Sequence, residues 1–306
     1  MNIPYKPYHE RSPDLQYRNL LKRIIHEGVV IMPQQDEAAC MVLGHQMRFS
    51  FSNGFPLLTE RDLATPLSAK ANSIFHQALG ELFCFLSGGT TLEDLERFGC
   101  TWWSRWATEE KCRKRGLKTG DLGPGSYGGA WASFPTSEGK PFDQIAHLIK
   151  QIKELPHLRT HFLSPWIPQY IYRGEGMTQK VVVVPCHGWA HVLVYPETRE
   201  LSLHHFQRSG DVPVGVAGNL MQYAALTLMI AQVTGYRPKE LVYTISDAHI
   251  YEKQISKVDI MLSRIPRAFP TVTLDPGVRD IREFRQHQFH LWDYHPHEGV
   301  YIWTPV

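Results

Sequence analysis

From Asn219 to Thr234 the chain sets Leu220, Tyr223, Leu226, Leu228, Ile230 and Val233 so that a helix drawn through them is apolar on most of its sides. A helix of that kind has no side to show to water, so it predicts a central element with the rest of the fold wrapped around it. Leu15, Leu20, Leu21, Ile24 and Ile25, ending at Gly28, predict an amphipathic helix that packs on such a core. The run Ile74–Leu86 predicts a second apolar helix, and Glu81 falls among its hydrophobic residues. A carboxylate in that company needs a partner or a task. Residues 107–126 are rich in Lys, Arg, Gly and Pro, which predicts a surface excursion leading to Tyr127, and a short helix is expected from Phe142 to Leu155. The β-branched run Lys180-Val181-Val182-Val183-Val184 predicts a buried strand, followed by strands at Val192–Tyr195 and Leu201–Leu203 with a turn after Pro196. Repeats, low-complexity tracts and linkers are not visible, so a single domain over residues 1–306 is the simplest expectation.

Charge and cysteine usage narrow the function classes. Lys and Arg (32) nearly balance Asp and Glu (30), leaving a formal +2, so no global field points to a nucleic-acid or membrane partner and an anionic ligand must be held locally. The start of the chain lacks a basic segment followed by an apolar one, and no apolar run is read as approaching the roughly 20 residues that span a bilayer, so a cytoplasmic protein is expected. Cys40, Cys84, Cys100, Cys112 and Cys186 are odd in number and lack paired two-residue spacing, which argues against a disulfide framework and a zinc site. His204-His205 and His295-Pro296-His297 lack carboxylates or thiols at ligand spacing, so no metal is expected. The basic run from Lys111 to Lys118 reads as a solvated loop.

Cys186 stands between Pro185 and His187 at the end of the valine run, where a rigid residue can aim the thiol. Alone it could equally be a small buried hydrophobe. Downstream lie Gln207-Arg208-Ser209-Gly210-Asp211, then Asn219, then Asp247-Ala248-His249-Ile250-Tyr251. Arg208 could hold an anion bidentately and lower the thiol pKa, making thiolate available near neutral pH, and Ser209 adds a hydroxyl donor. If residues 247–251 are extended, His249 and Tyr251 share a face and offer two hydrogen-bonding groups about 7 Å apart, suited to a sugar hydroxyl. Each of these has an alternative as a satisfied core hydrogen bond.

Taken together, Pro185-Cys186-His187, Gln207-Arg208-Ser209-x-Asp211, Gly215, Asn219, Tyr223-Ala224 and Asp247-x-His249-x-Tyr251 resemble the signature of thymidylate synthases and the related pyrimidine hydroxymethylases. The resemblance runs over nearly the whole chain, through Gly44-His45-Gln46-Met47-Arg48-Phe49, Gly54-Phe55-Pro56-Leu57, Glu81 before Phe85-Leu86, Trp103, Trp106, Asp121-Leu122-Gly123-Pro124 and Pro296-His297. It implies an α+β fold with a mixed β-sheet covered by helices, one sheet face forming a homodimer interface with shared active sites. It also implies a folate-dependent one-carbon transferase that takes 5,10-methylenetetrahydrofolate and a pyrimidine nucleoside monophosphate. By the same resemblance Cys186 is the nucleophile at carbon 6, Glu81 organises proton transfers, and Tyr127 helps remove the proton from carbon 5. Asn219 reads the base edge, His249 and Tyr251 the ribose, and Arg208 and Ser209 the phosphate, next to Gln207. Asp211 binds the pterin, with Trp103, Trp106, Gly215 and the C-terminal Val306 around the folate. Arg159, five positions before Ser164-Pro165-Trp166, is the arginine expected to reach the phosphate of the second subunit.

Departures from the family pattern bear on the reaction. The first phosphate-binding arginine falls on Gln34 and the second of the partner pair on Thr160, so two guanidinium groups are missing, each worth roughly 1.5–3 kcal/mol as a charge-assisted bond. His161 or Lys180 could compensate, phosphate could be held less tightly, or the phosphate end of the substrate could differ. The Pro-Phe before the base-reading residue is here Ala217-Gly218, which removes an aromatic wall from the folate pocket. Tyr127 stands one residue further from Pro124 than usual, and roughly ten extra residues lie between Arg61 and Glu81, so both assignments need the loops to adjust. A neutral amide at Asn219 can rotate to suit uracil, the preferred base. A loosened folate wall favours water attack and a 5-hydroxymethyl product, whereas Trp103 and a tail of family length favour thymidylate formation. The reading inclines to dUMP-type hydroxymethylation. Thymidylate synthesis, CMP or dCMP hydroxymethylation, and a catalytically silent nucleotide- or RNA-binding homologue are the alternatives.

Overall fold

The computed structural model describes residues 3–66 and 71–305. In it α1 (Gln16–Glu27) buries Tyr17, Leu20, Leu21 and Ile24, as the spacing of its apolar residues requires, and the Gly28 amide closes it by donating to the Ile24 carbonyl. Next come β1 (Val29–Ile31) and β2 (Ala39–Ser50), an antiparallel pair that the sequence reading did not anticipate. α2 (Ile74–Leu86) starts at Ser73, whose hydroxyl accepts the His76 amide, and every residue from Gln77 to Leu86 is buried. Then follow α3 (Leu92–Arg97), α4 (Glu109–Arg113), α5 (Tyr127–Ala132), α6 (Gln144–Glu154), β3 (Phe162–Leu163), α7 (Pro168–Ile171), β4 (His187–Tyr195), β5 (Glu200–Asp211), α8 (Ala217–Thr234), β6 (Arg237–Tyr251), α9 (Ile255–Leu262), β7 (Thr271–Leu274) and β8 (Phe289–Trp292).

Six strands form one mixed sheet in the order β1-β2-β6-β5-β4-β3, with β5 and β6 parallel and the other neighbours antiparallel. The fold is thus the expected α+β arrangement of a mixed sheet covered by helices. α8 makes the crossover that a parallel pair needs, leaving the end of β5 and returning to the start of β6. From Ala217 to Val233 every residue of α8 is buried except Asn219. The stretch 212–234 is long and apolar enough to cross a membrane by composition, contrary to the sequence reading, but 83% of its apolar window is buried inside this fold. The opposite faces of β3, β4 and β5 present Phe162, Trp189, His204 and Phe206 half-buried or exposed, with Trp189 and Phe206 stacked at 5.6 Å.

Two expected elements differ. Lys180–Val184 is not a strand: the Lys180 and Val182 amides donate to the carbonyls of Tyr170 and Leu122, and Val181 and Val182 are buried beneath that contact. Pro185 has no amide to offer a ladder, so the sheet is joined only from His187 onward, and Cys186 precedes a strand instead of ending one. The 107–126 segment is less detached than its composition suggested, because Ala107, Cys112 and Leu122 are fully buried and anchor it. Since Leu228 is completely enclosed, Leu228→Ala is expected to cost about 2–5 kcal/mol of unfolding free energy, read as a lower midpoint in urea with little change in slope.

Candidate active site

Cys186 sits where β4 begins, and a bulge between His187 and Trp189 turns the chain there. Gly188 lies in the bulge, where a Cβ would come 2.5 Å from the Phe206 ring, so a side chain has no room. β5 runs alongside and holds the thiol segment: the Arg208 amide donates to the Cys186 carbonyl at 2.7 Å, and the guanidinium donates to the Pro185 carbonyl at 3.1 Å and to Cys186 Sγ at 3.7 Å. The guanidinium also lies 5.9 Å above the Trp166 ring. From α5 the Tyr127 hydroxyl accepts the Cys186 amide at 2.7 Å and the His187 amide at 3.5 Å. The extra residue before Tyr127 therefore does not keep it from Cys186.

The thiol does not behave as the sequence reading expected. Burial pushes the Cys186 pKa up, Arg208 pulls it down, and Asp247 and Glu81 push it up again, leaving it above the ordinary thiol range. One guanidinium, shared with a carbonyl, does not outweigh the lost hydration. His187 beside it is held neutral by burial, its pKa lowered to about 3, and its Nδ1 meets the Tyr223 hydroxyl at 2.9 Å.

Glu81 reaches the same cavity from α2 despite the insertion before it. One carboxylate oxygen accepts the indole N–H groups of Trp102, at 2.8 Å, and Trp103; the other accepts Gln222 Nε2 at 2.5 Å. All three donors are neutral, so although they lower its pKa, burial prevails and holds it above the usual carboxylate range. Asn219 Nδ2 donates to Gln222 Oε1 at 2.9 Å, while its Oδ1 accepts Gln207 Nε2 at 3.0 Å. Gln207 Oε1 in turn accepts the Tyr243 hydroxyl at 2.6 Å. Gly215 borders this amide, since a Cβ there would stand 3.8 Å from Asn219 Oδ1.

Parallel pairing of β5 with β6 puts Ser209 beside Asp247 and Asp211 beside His249. Ser209 donates to Asp247 at 2.6 Å and His249 Nδ1 meets the other Asp247 oxygen at 3.0 Å, so the Ser209 hydroxyl is already committed to a carboxylate. Burial would raise Asp247, but the bonds from His249 and Ser209 together with the charge of Arg208 hold it below the ordinary range. His249 and Tyr251 do share a face, with ring centres 5.0 Å apart and edge-on.

Asp211 is the residue best fitted to a pterin. Its Oδ2 accepts Thr304 at 2.6 Å and Gln254 at 2.9 Å, while its buried Oδ1 has no partner among the described residues. An orphaned carboxylate oxygen of this kind suits the N–H donors on the edge of a pterin. Burial raises the Asp211 pKa against those two bonds. The tail is fastened here too: Gln254 also donates to the Trp303 carbonyl at 2.8 Å, and the Lys253 ammonium lies 5.1 Å from the Trp303 ring. Val306 lies outside the described residues. Trp103 is buried, and Trp106 is half-buried under the Arg105 guanidinium at 5.0 Å.

The two basic groups expected to hold phosphate, and the glutamine that replaces a third, all lie at the surface. Arg159 is exposed in the loop before β3, Gln34 is exposed in a turn after β1, and Lys180 is exposed over Tyr170. His161 cannot stand in for a missing arginine: it is fully buried, bonded to Gln151 and Pro156, and burial lowers its pKa. Trp102, Gln222 and Tyr243 were not singled out beforehand. Gln222 left a signal, a polar residue one helical turn beyond Asn219 in an apolar helix. A family model described as thymidylate synthase matches residues 15–304.

The balance of burial against Arg208 makes a direct prediction. Alkylation of Cys186 by iodoacetamide, followed by peptide mass spectrometry, is expected to show a pH midpoint above the ordinary thiol range, moving higher still in Arg208→Met as the nearest positive charge is lost. An unchanged midpoint in the variant would disprove the coupling.

Proposed function

The chain belongs to the thymidylate synthase family, and from that premise we propose that it hydroxymethylates carbon 5 of uracil in a nucleoside monophosphate. The coarser activity comes with the family: the protein is a one-carbon transferase acting on a pyrimidine nucleotide at carbon 5, with 5,10-methylenetetrahydrofolate as co-substrate.

The observation that carries the finer reading is the bare backbone at Ala217-Gly218, where α8 reaches the site. A Cβ on Gly218 would meet only the far edge of Trp102, at 3.9 Å, and the Cβ of Ala78, at 4.0 Å. No bulky side chain from α8 walls off the carbon being transferred, which favours attack by water. The neutral amide of Asn219 supports uracil over cytosine.

In this reading the Cys186 thiol gives up its proton to solvent as the nucleotide binds, and the Arg208 guanidinium faces the thiolate formed. Sulfur bonds to carbon 6 of the ring, shifting electron density to carbon 5. Bound methylenetetrahydrofolate supplies the one-carbon unit, with Asp211 Oδ1, Trp103 and Trp106 as the residues that would hold it. Tyr127, poised on the Cys186 amide, takes part in removing the proton from carbon 5. Glu81, kept protonatable by burial, exchanges protons at the base through water. The transferred carbon parts from tetrahydrofolate, and water then adds to the exocyclic methylene and loses a proton. The electron pair it brings expels the Cys186 thiolate from carbon 6, restoring the ring double bond and leaving the hydroxymethyl group. His249 and Tyr251 face the ribose. The protein works as a cytoplasmic homodimer, pairing through the aromatic sheet face around Trp189 and Phe206, so that the exposed Arg159 of each copy completes the phosphate site of the other.

One observation favours the second reading, thymidylate formation: Trp303 and Thr304 are fastened against Gln254 and Asp211, a tail placed to close over folate and exclude water. Mass spectrometry separates the two after incubation with methylenetetrahydrofolate and dUMP, dCMP, UMP or CMP. The expected result is a hydroxymethyl group on a uracil nucleotide without folate oxidation, and no product from Cys186→Ala. A methyl group with stoichiometric dihydrofolate would overturn the product assignment. Asn219→Asp is expected to move preference toward cytosine, and an unchanged preference would discredit Asn219 as the base reader.

A further inference from the structure

Gln222 is 3% exposed in the interior of α8, and all of its hydrogen-bonding groups face named partners. Its Nε2 donates to the Ala78 carbonyl at 2.9 Å and to Glu81 Oε2 at 2.5 Å; its Oε1 accepts Asn219 Nδ2 at 2.9 Å. A backbone carbonyl can only accept, so Ala78 dictates which end of the Gln222 amide carries nitrogen. The oxygen must then face Asn219, and Asn219 must turn its NH2 toward it.

The other side of Asn219 is set by the same logic. Gln207 Nε2 donates to the Ser209 carbonyl at 3.1 Å, again an acceptor only, and to Asn219 Oδ1 at 3.0 Å. The Tyr243 hydroxyl occupies Gln207 Oε1. Asn219 is clamped between two amides, each oriented by a carbonyl that cannot reverse its role. Flipping Asn219 would set NH2 against NH2 on one side and oxygen against oxygen on the other.

From this we infer that Gln222 is a positioning residue that fixes the orientation of the Asn219 amide, and with it the choice of pyrimidine base, while joining that choice to Glu81. The inference rests on Asn219 as base reader. After the clamp is made, Asn219 keeps one further N–H and one further lone pair in a fixed order, with the neutral His187 ring beside the amide. Uracil offers a carbonyl oxygen next to a ring N–H, and cytosine an amino group next to a bare ring nitrogen, so the two need opposite orders. The free rotation expected of a lone asparagine is therefore absent, and discrimination resides in the clamp as well as in the residue that touches the base. Primary amides hold direction but do not readily pass protons, so Gln222 orients Glu81 without relaying for it.

The two halves of the role separate experimentally. Dissociation constants of dUMP and dCMP, measured by calorimetry on the full chain, need no turnover. Gln222→Met matches the side chain in length but removes all three hydrogen bonds, and is expected to narrow the dUMP-to-dCMP binding ratio by about tenfold or more, where tenfold corresponds to 1.4 kcal/mol. Gln222→Glu keeps an oxygen to accept Asn219 Nδ2 but sets a second carboxyl against Glu81, so the pair must share a proton. It should leave the binding ratio within about twofold of the parent, while moving the pH midpoint of turnover upward. Thermal unfolding of each variant shows that it is folded before its ratio is compared.

A Gln222→Met protein that is folded and keeps the parental ratio, while Asn219→Asp changes it, overturns the inference and leaves Asn219 reading the base unaided. If neither substitution alters the ratio, the base-reader assignment fails and the inference fails with it. Nucleotide binding that responds to Gln222 in a protein yielding no one-carbon product would overturn the proposed reaction and support the clamp.

Discussion

The site depends on the burial of a helix that has no polar side. α8 can satisfy that demand only by lying within the fold, and its path from the end of β5 to the start of β6 makes those strands parallel. The parallel pairing is what puts Ser209 beside Asp247 and Asp211 beside His249. The same helix carries Asn219, its one incompletely buried residue before Thr234, and Gln222 a turn later, facing Glu81 on α2. Core packing and site assembly are therefore one constraint. A change that shifted α8 by a fraction of a turn would disturb Asn219 and the hydrogen bonding of Glu81 together.

Burial also sets the charge state of the site before substrate arrives. Desolvation raises Cys186, Glu81 and Asp211 and lowers His187 and His205, so each is driven toward its neutral form. Asp247 is the exception, because Ser209 and His249 both bond to it. Linkage gives the two groups of carboxyls opposite pH behaviour. The raised Glu81 and Asp211 favour the folded state below their unfolded pKa values, and that contribution is lost as pH rises through the folded ones. The depressed Asp247 stabilises above its unfolded pKa and loses that contribution as pH falls through the folded one. The site is thus tolerant of acid at Glu81 and Asp211 and sensitive to it at Asp247.

Much of this was legible in the chain. The all-round apolar pattern of 219–234, the Glu81 stranded in an apolar helix, and the ordered motifs from Cys186 to Tyr251 each follow from local periodicity or residue chemistry. What escaped was decided by contacts distant in sequence. The valine run looks like a strand because strand propensity reports β-branching, but Pro185 lacks the amide that would carry it into the sheet. The depressed thiol pKa looked natural beside Arg208, yet a sequence does not show how completely the sulfur is enclosed. Trp102 became visible only when α2 and the turn after α3 met at one carboxylate, and the place of Gln222 at that carboxylate only when α8 joined them.

The departure at Ala217-Gly218 gains a physical meaning in the assembled site. Glycine inside a helix costs roughly 0.5–1 kcal/mol relative to alanine, so its place beside Asn219 is not favoured by the helix itself. Opposite it stands Trp102, whose ring edge would be 3.9 Å from a Cβ on Gly218 and whose indole N–H is bonded to Glu81. A large side chain on α8 would occupy the space into which that indole reaches. The aromatic surface at this point thus comes from the turn that donates to Glu81 and not from α8. This ties the packing beside Gly218 to the hydrogen bonding of Glu81, so the site is altered as a set and not at one position.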